Sequence, residues 1–310
     1  MKFTLRSGRQ IPAIAFGTGT TYFQRNDDVE NGILQAFDKG FRYIDTAIMY
    51  NTEEGVGKAI KKLIDDKNYD REDIFVATKV NSDQFTYDMV MKAMNDSMKR
   101  LGLEYVDLVL IHSPGIPKNY NFLAKELLEA CPKTPNELKE ARMAMWEALQ
   151  ELKKMGKIRE IGVSNFNRFH LEQLIKDPRC KEIPVINQIE LNPYCVDHDI
   201  IEACRENKIL VQAYSPLGSD PGRSEAKKFK KLLDDEVLIG IASKRGCSTA
   251  QVALKWALTK GISVVTKTEK EARMTENLAS ENVELSDDDI KLIDGLNMNQ
   301  RLFWNPYDIL

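Results

Sequence analysis

Four side chains that can move or orient a proton stand at the ends of three short apolar runs. Asp45 and Tyr50 follow the first run, Lys79 ends the second and His112 ends the third. An acid, a phenol, an amine and an imidazole together can hand a proton to a carbonyl oxygen. If the runs are parallel strands of one barrel, their carboxyl ends open onto a single face, and the four side chains meet there.

Tyr50 is the candidate general acid. A free phenol has a pKa of about 10, which a nearby ammonium lowers. Lys79 can supply that ammonium, and Asp45 can compensate its charge in a poorly hydrated site. His112 can donate a hydrogen bond to the substrate oxygen and orient it. Taken alone, Tyr50 could be a surface tyrosine, Lys79 a solvated lysine, Asp45 a helix cap and His112 a structural hydrogen-bonding histidine. Because all four stand at strand ends, an active site is favoured.

Metal and disulfide chemistry find little support in the sequence. His112, His170 and His198 are the only histidines, and they lack the spacing of metal ligands. The five cysteines include no Cys-x-x-Cys pair. We therefore expect no metal site, and buried or idle thiols at residues 131, 180, 195, 204 and 247.

Eight short apolar runs rich in β-branched residues alternate with amphipathic helical patterns along the chain. Continuous apolarity suits strands that are buried on both faces. The runs span residues 13–17, 42–45, 74–79, 106–112, 158–164, 185–190, 209–215 and 262–267. Eight alternating units predict an α/β fold, a (β/α)8 TIM barrel that occupies residues 1–310 as one domain. An open doubly wound sheet is the alternative, but neither of its glycine-rich phosphate loops occurs.

Four segments lie outside this repeat. Phe3 and Leu5 alternate ahead of a Ser-Gly pair, which predicts an N-terminal β-hairpin that plugs one end of the barrel. Long excursions follow the fourth and seventh runs, at residues 114–140 and 218–230, and such loops are usually functional. The tail, residues 297–310, has no helical pattern and is expected to fold back over the barrel.

Composition restricts the class of partner. The formal net charge is -3 with both signs interspersed, so no basic stripe indicates nucleic acid or an anionic membrane. No apolar run approaches the roughly 18 residues that span a bilayer, and the N-terminus lacks a signal-peptide core. We expect a cytoplasmic protein, a monomer or weak dimer, that acts on a small molecule.

Two further groups of residues could bind a ligand. Lys267, Thr268 and Arg273 place two cations and a hydroxyl around a predicted helix N-terminus, where barrels usually bind phosphate, although a charged helix start is an equally good interpretation. The second group lies at the ends of the fifth to seventh runs and could hydrogen-bond and stack a flat amide-bearing ring such as nicotinamide. Its members are Ser164, Asn165, Gln188 and Tyr214.

At these positions the chain resembles the aldo-keto reductase superfamily, in its aldose and xylose reductase-like branch, over nearly its whole length. The similarity lies in ordered motifs: GFRYIDTA at 40–47, IGVSNF at 161–166, NQIELNP at 187–193, AYSPLG at 213–218, and the segment 267–277. The resemblance implies reduction of an aldehyde or ketone by hydride transfer from NADPH. It makes Tyr50 the general acid, tuned by Lys79 and Asp45, with His112 aligning the carbonyl.

The resemblance also implies a set of coenzyme contacts. Ser164, Asn165 and Gln188 would hold the carboxamide, and Tyr214 would stack on the nicotinamide. The other contacts would be Thr18 and Asp45 for the ribose, Ser215, Leu217 and Ser219 for the pyrophosphate, Lys267, Thr268 and Arg273 for the 2′-phosphate, and Glu276 and Asn277 for the adenine. Independently, the Gly and Pro content of the loop 218–230 and its position beside Tyr214 predict that it closes over the pyrophosphate, with Asp220 against Lys267.

Several positions depart from the aldose reductase pattern. Gly19, Asn81 and Ser113 stand where that branch carries bulky aromatics, so we expect a wider or more polar substrate pocket. Tyr22 could fill part of the gap, and Phe303 and Trp304 could supply apolar wall. Glu269 could repel phosphate and bond the free ribose hydroxyl of NADH, so some NADH use is expected.

A coenzyme-binding module or scaffold without catalysis is the alternative function.

Overall fold

The computed structural model describes residues 1–19, 22–116, 129–218, 230–303 and 305–310. Two strands, β1 (Lys2–Thr4) and β2 (Gln10–Pro12), form an antiparallel hairpin. Eight parallel strands, β3 to β10, then close into a barrel in chain order, with β10 beside β3. Their bounds are Ile14–Gly17, Tyr43–Asp45, Phe75–Val80, Val106–Ile111, Ile158–Ser164, Ile186–Glu190, Leu210–Tyr214 and Ser263–Thr266. The predicted (β/α)8 barrel and its N-terminal hairpin are confirmed, with strand ends within one residue of those expected.

The hairpin plugs the amino-terminal end of the barrel. Leu5 and Ile11 are buried in one cluster with inward-facing strand residues that include Ala15, Tyr43 and Leu108. These apolar side chains fill the amino-terminal end of the barrel, so water is excluded from it. The polar groups of the site are therefore confined to the opposite end.

Amphipathic helices surround the barrel and are marked by their capping residues. Thr86, Asn167 and Asp235 each accept a backbone N–H at a helix start, and Gly40 and Gly102 end helices in the left-handed conformation. In the described residues the helices are α1 to α10: Asn26–Lys39, Glu53–Asp65, Tyr87–Leu101, Pro135–Lys154, Arg168–Lys176, His198–Glu206, Glu236–Arg245, Thr249–Thr259, Glu271–Ala279 and Asp287–Asp294. Among them we find none with the length and apolarity to span a bilayer.

Two sequence-based expectations about loops need correction. The segment 114–140 is not all loop, because α4 begins at Pro135 behind a capping box of Thr134 and Glu137. The tail contains one short 3₁₀ turn, Pro306–Asp308, which its sequence pattern did not indicate. Residues 20–21, 117–128, 219–229 and 304 lie outside the described part of the chain.

Strand register brings the candidate residues to the carboxyl-terminal end of the barrel. Asp45 pairs with Ala77 on β5, two residues before Lys79. Ser164 pairs with Gln188, and Glu190 pairs with Tyr214 on the next strand. Since alternate residues of a strand face the same side, the polar members of these runs project into the barrel mouth in successive layers.

Candidate active site

Lys79 is the centre of the site. Its ammonium donates to Asp45 Oδ1 at 2.7 Å and to the carbonyl of Thr46 at 2.9 Å, and it lies 3.5 Å from the hydroxyl of Tyr50. The side chain is fully buried and that of Asp45 is 4% exposed. A buried ammonium requires this charge compensation, and the paired carboxylate keeps Nζ directed at the phenol.

Tyr50 reaches Lys79 from a short 3₁₀ helix, Ile48–Tyr50, that follows β4. Asn51 ends this turn with a φ of 52°, a left-handed conformation that asparagine tolerates. The ring of Tyr50 meets the ring of His112 edge to face, with centroids 5.7 Å apart and an interplanar angle of 81°. The predicted tetrad of Asp45, Tyr50, Lys79 and His112 is thus brought together at the mouth.

The environment fixes the protonation states of three of these groups. Burial raises the pKa of Tyr50 above its ordinary value of 10.0, Lys79 acts to lower it and Asp45 to raise it. The lowering expected from Lys79 is therefore present but outweighed by lost hydration. Burial alone would lower the pKa of Lys79, yet Asp45 and Tyr50 leave it raised. Burial and then Lys79 hold the pKa of His112 well below 6.5, so its imidazole is neutral near pH 7.

A second set of polar groups lies beside the tetrad. Asn165, with a φ of 60°, donates from Nδ2 to the carbonyl of His112 at 2.9 Å and to Ser164 Oγ at 3.1 Å. The hydroxyl of Tyr214 donates to Asn165 Oδ1 at 2.9 Å. Gln188 donates from Nε2 to Asp45 Oδ2 at 2.8 Å, which connects this set directly to the tetrad. The four residues expected to bind a flat amide ring are thus contiguous.

Sequence reasoning missed three residues that position these groups. Gln212 accepts a hydrogen bond from Gln188 at 2.8 Å, and the backbone carbonyl of Thr46 accepts one from Lys79. Glu190 is fully buried at the end of β8 and holds the tail through backbone N–H groups. Gln212 could have been noticed as the polar residue amid the apolar positions of β9, and Glu190 as a charged residue in a buried strand, since a buried polar side chain requires a partner.

The predicted phosphate region follows β10. Lys267 and Arg273 are exposed on either side of the start of α9, whose capping residue Lys270 makes no side-chain cap. Two neighbouring carboxylates form ion pairs, each at 2.8 Å. Glu269 pairs with Arg25, the residue before α1, and Glu271 pairs with Lys39 at the end of α1. Such a helix start can hold an anion.

The remaining members of this region are less exposed. Thr268 is buried, and its hydroxyl accepts from the N–H of Lys270 at 3.1 Å. Asn277 is also buried, and Glu276 is partly buried. Ser215, with a φ of 50°, and Leu217 are half-buried after β9. Ser219 and Asp220, and with them the expected loop closure, lie outside the described residues.

Tyr22, expected to fill part of the pocket, and Thr18, expected to contact the coenzyme ribose with Asp45, are both buried. Tyr22 is 1% exposed, packs against Phe16 and Gly32, and donates its hydroxyl to the carbonyl of Thr268 at 3.1 Å. Its hydroxyl is therefore directed at the phosphate region. Thr18 is fully buried and contacts the carbonyl of Asp45 through its hydroxyl.

The other pocket candidates lie at the mouth. Gly19 is in contact with the ring of Tyr50, and Phe303 meets the ring of Tyr214. Asn81 directly follows β5, two residues beyond Lys79. The hydroxyl of Ser113 donates to the carbonyl of Gly115 at 2.6 Å, so this residue contributes small size more than polarity. Trp304 lies outside the described residues.

Within the described ranges, no cluster of three or more His, Cys, Asp or Glu side chains is arranged to hold a metal ion. The five cysteines are all free thiols. Cys131, Cys195 and Cys204 are buried, and the remaining two are partly exposed.

Comparisons with known proteins agree with this arrangement. The model of the aldo/keto reductase family matches residues 13–298. Glyoxal reductase of Bacillus subtilis is 36% identical over 99% of this chain and 96% of its own length. Aldo-keto reductase family 1 member C4 of Macaca fascicularis is 36% identical over 97% and 92%.

A crystal structure of an aldo-keto reductase of Bombyx mori in complex with NADP superposes with a TM-score of 0.85. Its sequence identity is 31%, and the match covers 98% of this chain and 94% of that one. Both the family match and the identities extend over the barrel and all the site motifs described above. The chain belongs to the aldo/keto reductase family, whose members are oxidoreductases.

Proposed function

We propose that the protein reduces aldehydes or ketones to alcohols with NADPH, and that Tyr50 is the general acid. The observation that carries this proposal is the contact of the buried Lys79 with Asp45 and with the hydroxyl of the half-buried Tyr50. It places a proton donor beside a compensated cation, at the end of the barrel where such enzymes act.

The residues near Asn165 fit a nicotinamide. Gln188 uses its Nε2 to bond Asp45 and Gln212, and no donor to its Oε1 is found in the described part of the chain. That oxygen is the acceptor a carboxamide NH₂ requires, and Ser164 Oγ and Asn165 Oδ1 are further acceptors beside it. When bound, the coenzyme supplies a hydride to the carbonyl carbon. The NADP-bound Bombyx mori structure supports this choice of ligand.

The side chains of the tetrad have separate tasks in this mechanism. Neutral His112 donates a hydrogen bond to the substrate oxygen and orients it, because its pKa is well below neutrality. Tyr50 gives its proton to that oxygen as negative charge develops there. The ammonium of Lys79 stabilises the phenolate that remains, and Asp45 keeps Lys79 charged and directed at the phenol.

The direct test is oxidation of NADPH in the presence of a nitrobenzaldehyde, followed by a panel of sugars, short aldehydes, ketosteroids and quinones. We expect turnover of the reactive aldehyde. Tight NADPH binding with no turnover of any carbonyl would favour the alternative, a coenzyme-binding module without catalysis. The lack of bulky aromatics at Gly19, Asn81 and Ser113 leads us to propose weak discrimination among small aldehydes. Glu269 leads us to propose some use of NADH.

The rate of reduction should be insensitive to pH near neutrality. The raised pKa of Tyr50 keeps the acid protonated up to at least its ordinary 10.0, and the lowered pKa of His112 prevents loss of its neutral form as the pH falls through 6.5. Alcohol oxidation requires the phenolate and should instead rise with pH. The measurement is kcat/KM in both directions at saturating coenzyme; an apparent pKa between about 7 and 9 for reduction would contradict the assigned protonation states.

Gly19→Ala should lower kcat. A Cβ at this position would lie 3.0 Å from Cζ of Tyr50 and 3.1 Å from Cε2, so the ring must shift by a few tenths of an ångström. Since a displacement of about 1 Å can cost about 10²-fold, we expect a loss of roughly 3- to 30-fold in kcat with little change in NADPH affinity. Gly240→Ala is the control, because a Cβ there meets nothing within 4 Å. Unchanged kcat in Gly19→Ala would show that the ring has room to move.

A further inference from the structure

We propose that Glu190 is a positioning residue that sets the apolar wall of the substrate pocket by holding the tail segment at Leu302 and Phe303. Its carboxylate accepts the N–H of Leu302 at 2.8 Å and the N–H of Phe303 at 3.0 Å. The side chain is fully buried. Bonds from backbone N–H groups to a buried carboxylate are among the stronger hydrogen bonds in proteins. This inference rests on the proposed function, since it concerns the substrate pocket of the same site.

The position of Glu190 in the barrel relates it to the coenzyme groups. It lies two residues beyond Gln188 on β8, so both side chains are on the same side of the strand, with Glu190 nearer the mouth. It also pairs in register with Tyr214 on β9. Its charge is close enough to act on Tyr214, whose pKa is raised by burial first and by Glu190 second. The carboxylate therefore stands between the proposed nicotinamide site and the tail.

Phe303 carries the effect of this anchor into the pocket. Its ring meets the ring of Tyr214 at a centroid distance of 5.6 Å and an angle of 83°. This is the edge-to-face arrangement that aromatic pairs favour. Tyr214 is itself fixed by its hydrogen bond to Asn165. The orientation of Phe303 is thus set from two sides: its backbone by Glu190 and its ring by Tyr214.

Other contacts hold the rest of the tail independently. The N–H groups of Met298 and Gln300 donate to the carbonyl of Tyr194 at 3.2 and 2.9 Å, and Asn297 bonds both backbone groups of Val196. Beyond Trp304, Asn167 and His170 bond the backbone at Pro306 and Ile309. Loss of the carboxylate at Glu190 should therefore loosen Leu302 and Phe303 without releasing the tail.

The test is Glu190→Gln in the full chain, with Asn297→Ala as a control that weakens a tail anchor distant from Phe303. Glutamine keeps the shape but offers one acceptor and presents an NH₂ to the second N–H. We expect KM for nitrobenzaldehyde to rise about 10-fold, with KM for glyceraldehyde, kcat and the NADPH Kd each within about 2-fold. Asn297→Ala should not separate the two substrates. Equal rises in KM for both aldehydes, or the same separation in the control, would overturn the proposal.

A double-mutant cycle with Phe303→Ala tests whether the two residues act together. In that background, Glu190→Gln should leave KM for nitrobenzaldehyde unchanged; a further rise of about 10-fold would show that Glu190 does not act through Phe303.

Hydrogen exchange supplies a readout that needs no activity. Glu190→Gln should speed exchange of the amides of Leu302 and Phe303 about 10-fold or more, and leave those of Met298 and Gln300 unchanged. Unchanged exchange at residues 302 and 303 would overturn the role of Glu190. The two proposals can fail separately. If exchange at residues 302 and 303 is faster in Glu190→Gln but the wild-type protein oxidises no NADPH with any carbonyl, the proposed function is rejected and the anchoring role of Glu190 is retained.

Discussion

Tyr50→Phe should lower kcat for carbonyl reduction by at least about 10²-fold, the lower range for removing a positioned general acid, while NADPH binding stays nearly intact. Only the hydroxyl is lost, so the edge-to-face contact with His112 and the position of the ring beside Gly19 are kept. Steady-state kinetics with a nitrobenzaldehyde and a fluorescence titration with NADPH measure the two quantities separately.

Tyr43→Phe is the matched control for this variant. Tyr43 is a fully buried tyrosine on β4, two residues before Asp45, and its hydroxyl bonds the side chain of Gln212. Its loss should affect stability more than turnover, because this phenol does not contact Lys79. Near wild-type turnover in Tyr50→Phe, or an equal loss in Tyr43→Phe, would reject Tyr50 as the acid.

The fold could be predicted from the sequence because each of its signals is local. Buried strands require apolar, β-branched runs, and helix starts favour capping residues such as Thr86 and Asn167. Both signals can be recognised in the sequence. The start of α4 at Pro135 was missed because the polar residues that surround it resemble a loop, although the capping pair of Thr134 and Glu137 was there to be read.

The site was predictable in its members but not in its energetics. Strand ends identified Lys79 and His112, whereas the net pKa of Tyr50 depends on how completely the phenol is buried, which no spacing reveals. The hydrogen bond of the Tyr22 hydroxyl to Thr268 depends on the space left by Gly32 in α1. Such contacts between distant parts of the chain cannot be predicted from local sequence. Glu190 was missed for the same reason, because its partners lie 112 and 113 residues away on the tail.

In the fold, Glu269 has a partner that bears on coenzyme preference. From sequence alone, Glu269 stands as a carboxylate that repels a 2′-phosphate. In the fold it pairs with Arg25 at 2.8 Å, and Arg25 also pairs with Asp28 at 2.7 Å. These groups are about half exposed, so solvent screens the pair and it contributes little to the stability of the fold. It nevertheless gives Glu269 a cationic partner and reduces its repulsion of an anion near Arg273.

Arg273→Met should weaken NADPH binding by about 10- to 150-fold and change NADH binding little, since a charge-assisted hydrogen bond contributes roughly 1.5 to 3 kcal/mol. Arg273 is exposed on the first turn of α9, whose capping position lacks a side-chain cap, and a 2′-phosphate there would gain from both the guanidinium and the helix N-terminus. The measurement is a pair of dissociation constants, one for each coenzyme, for the variant and the wild type. Lys270→Met is the control for general positive charge, because it removes a neighbouring cation from the same turn. Equal losses for NADPH and NADH, or equal losses in the two variants, would show that Arg273 does not recognise the 2′-phosphate.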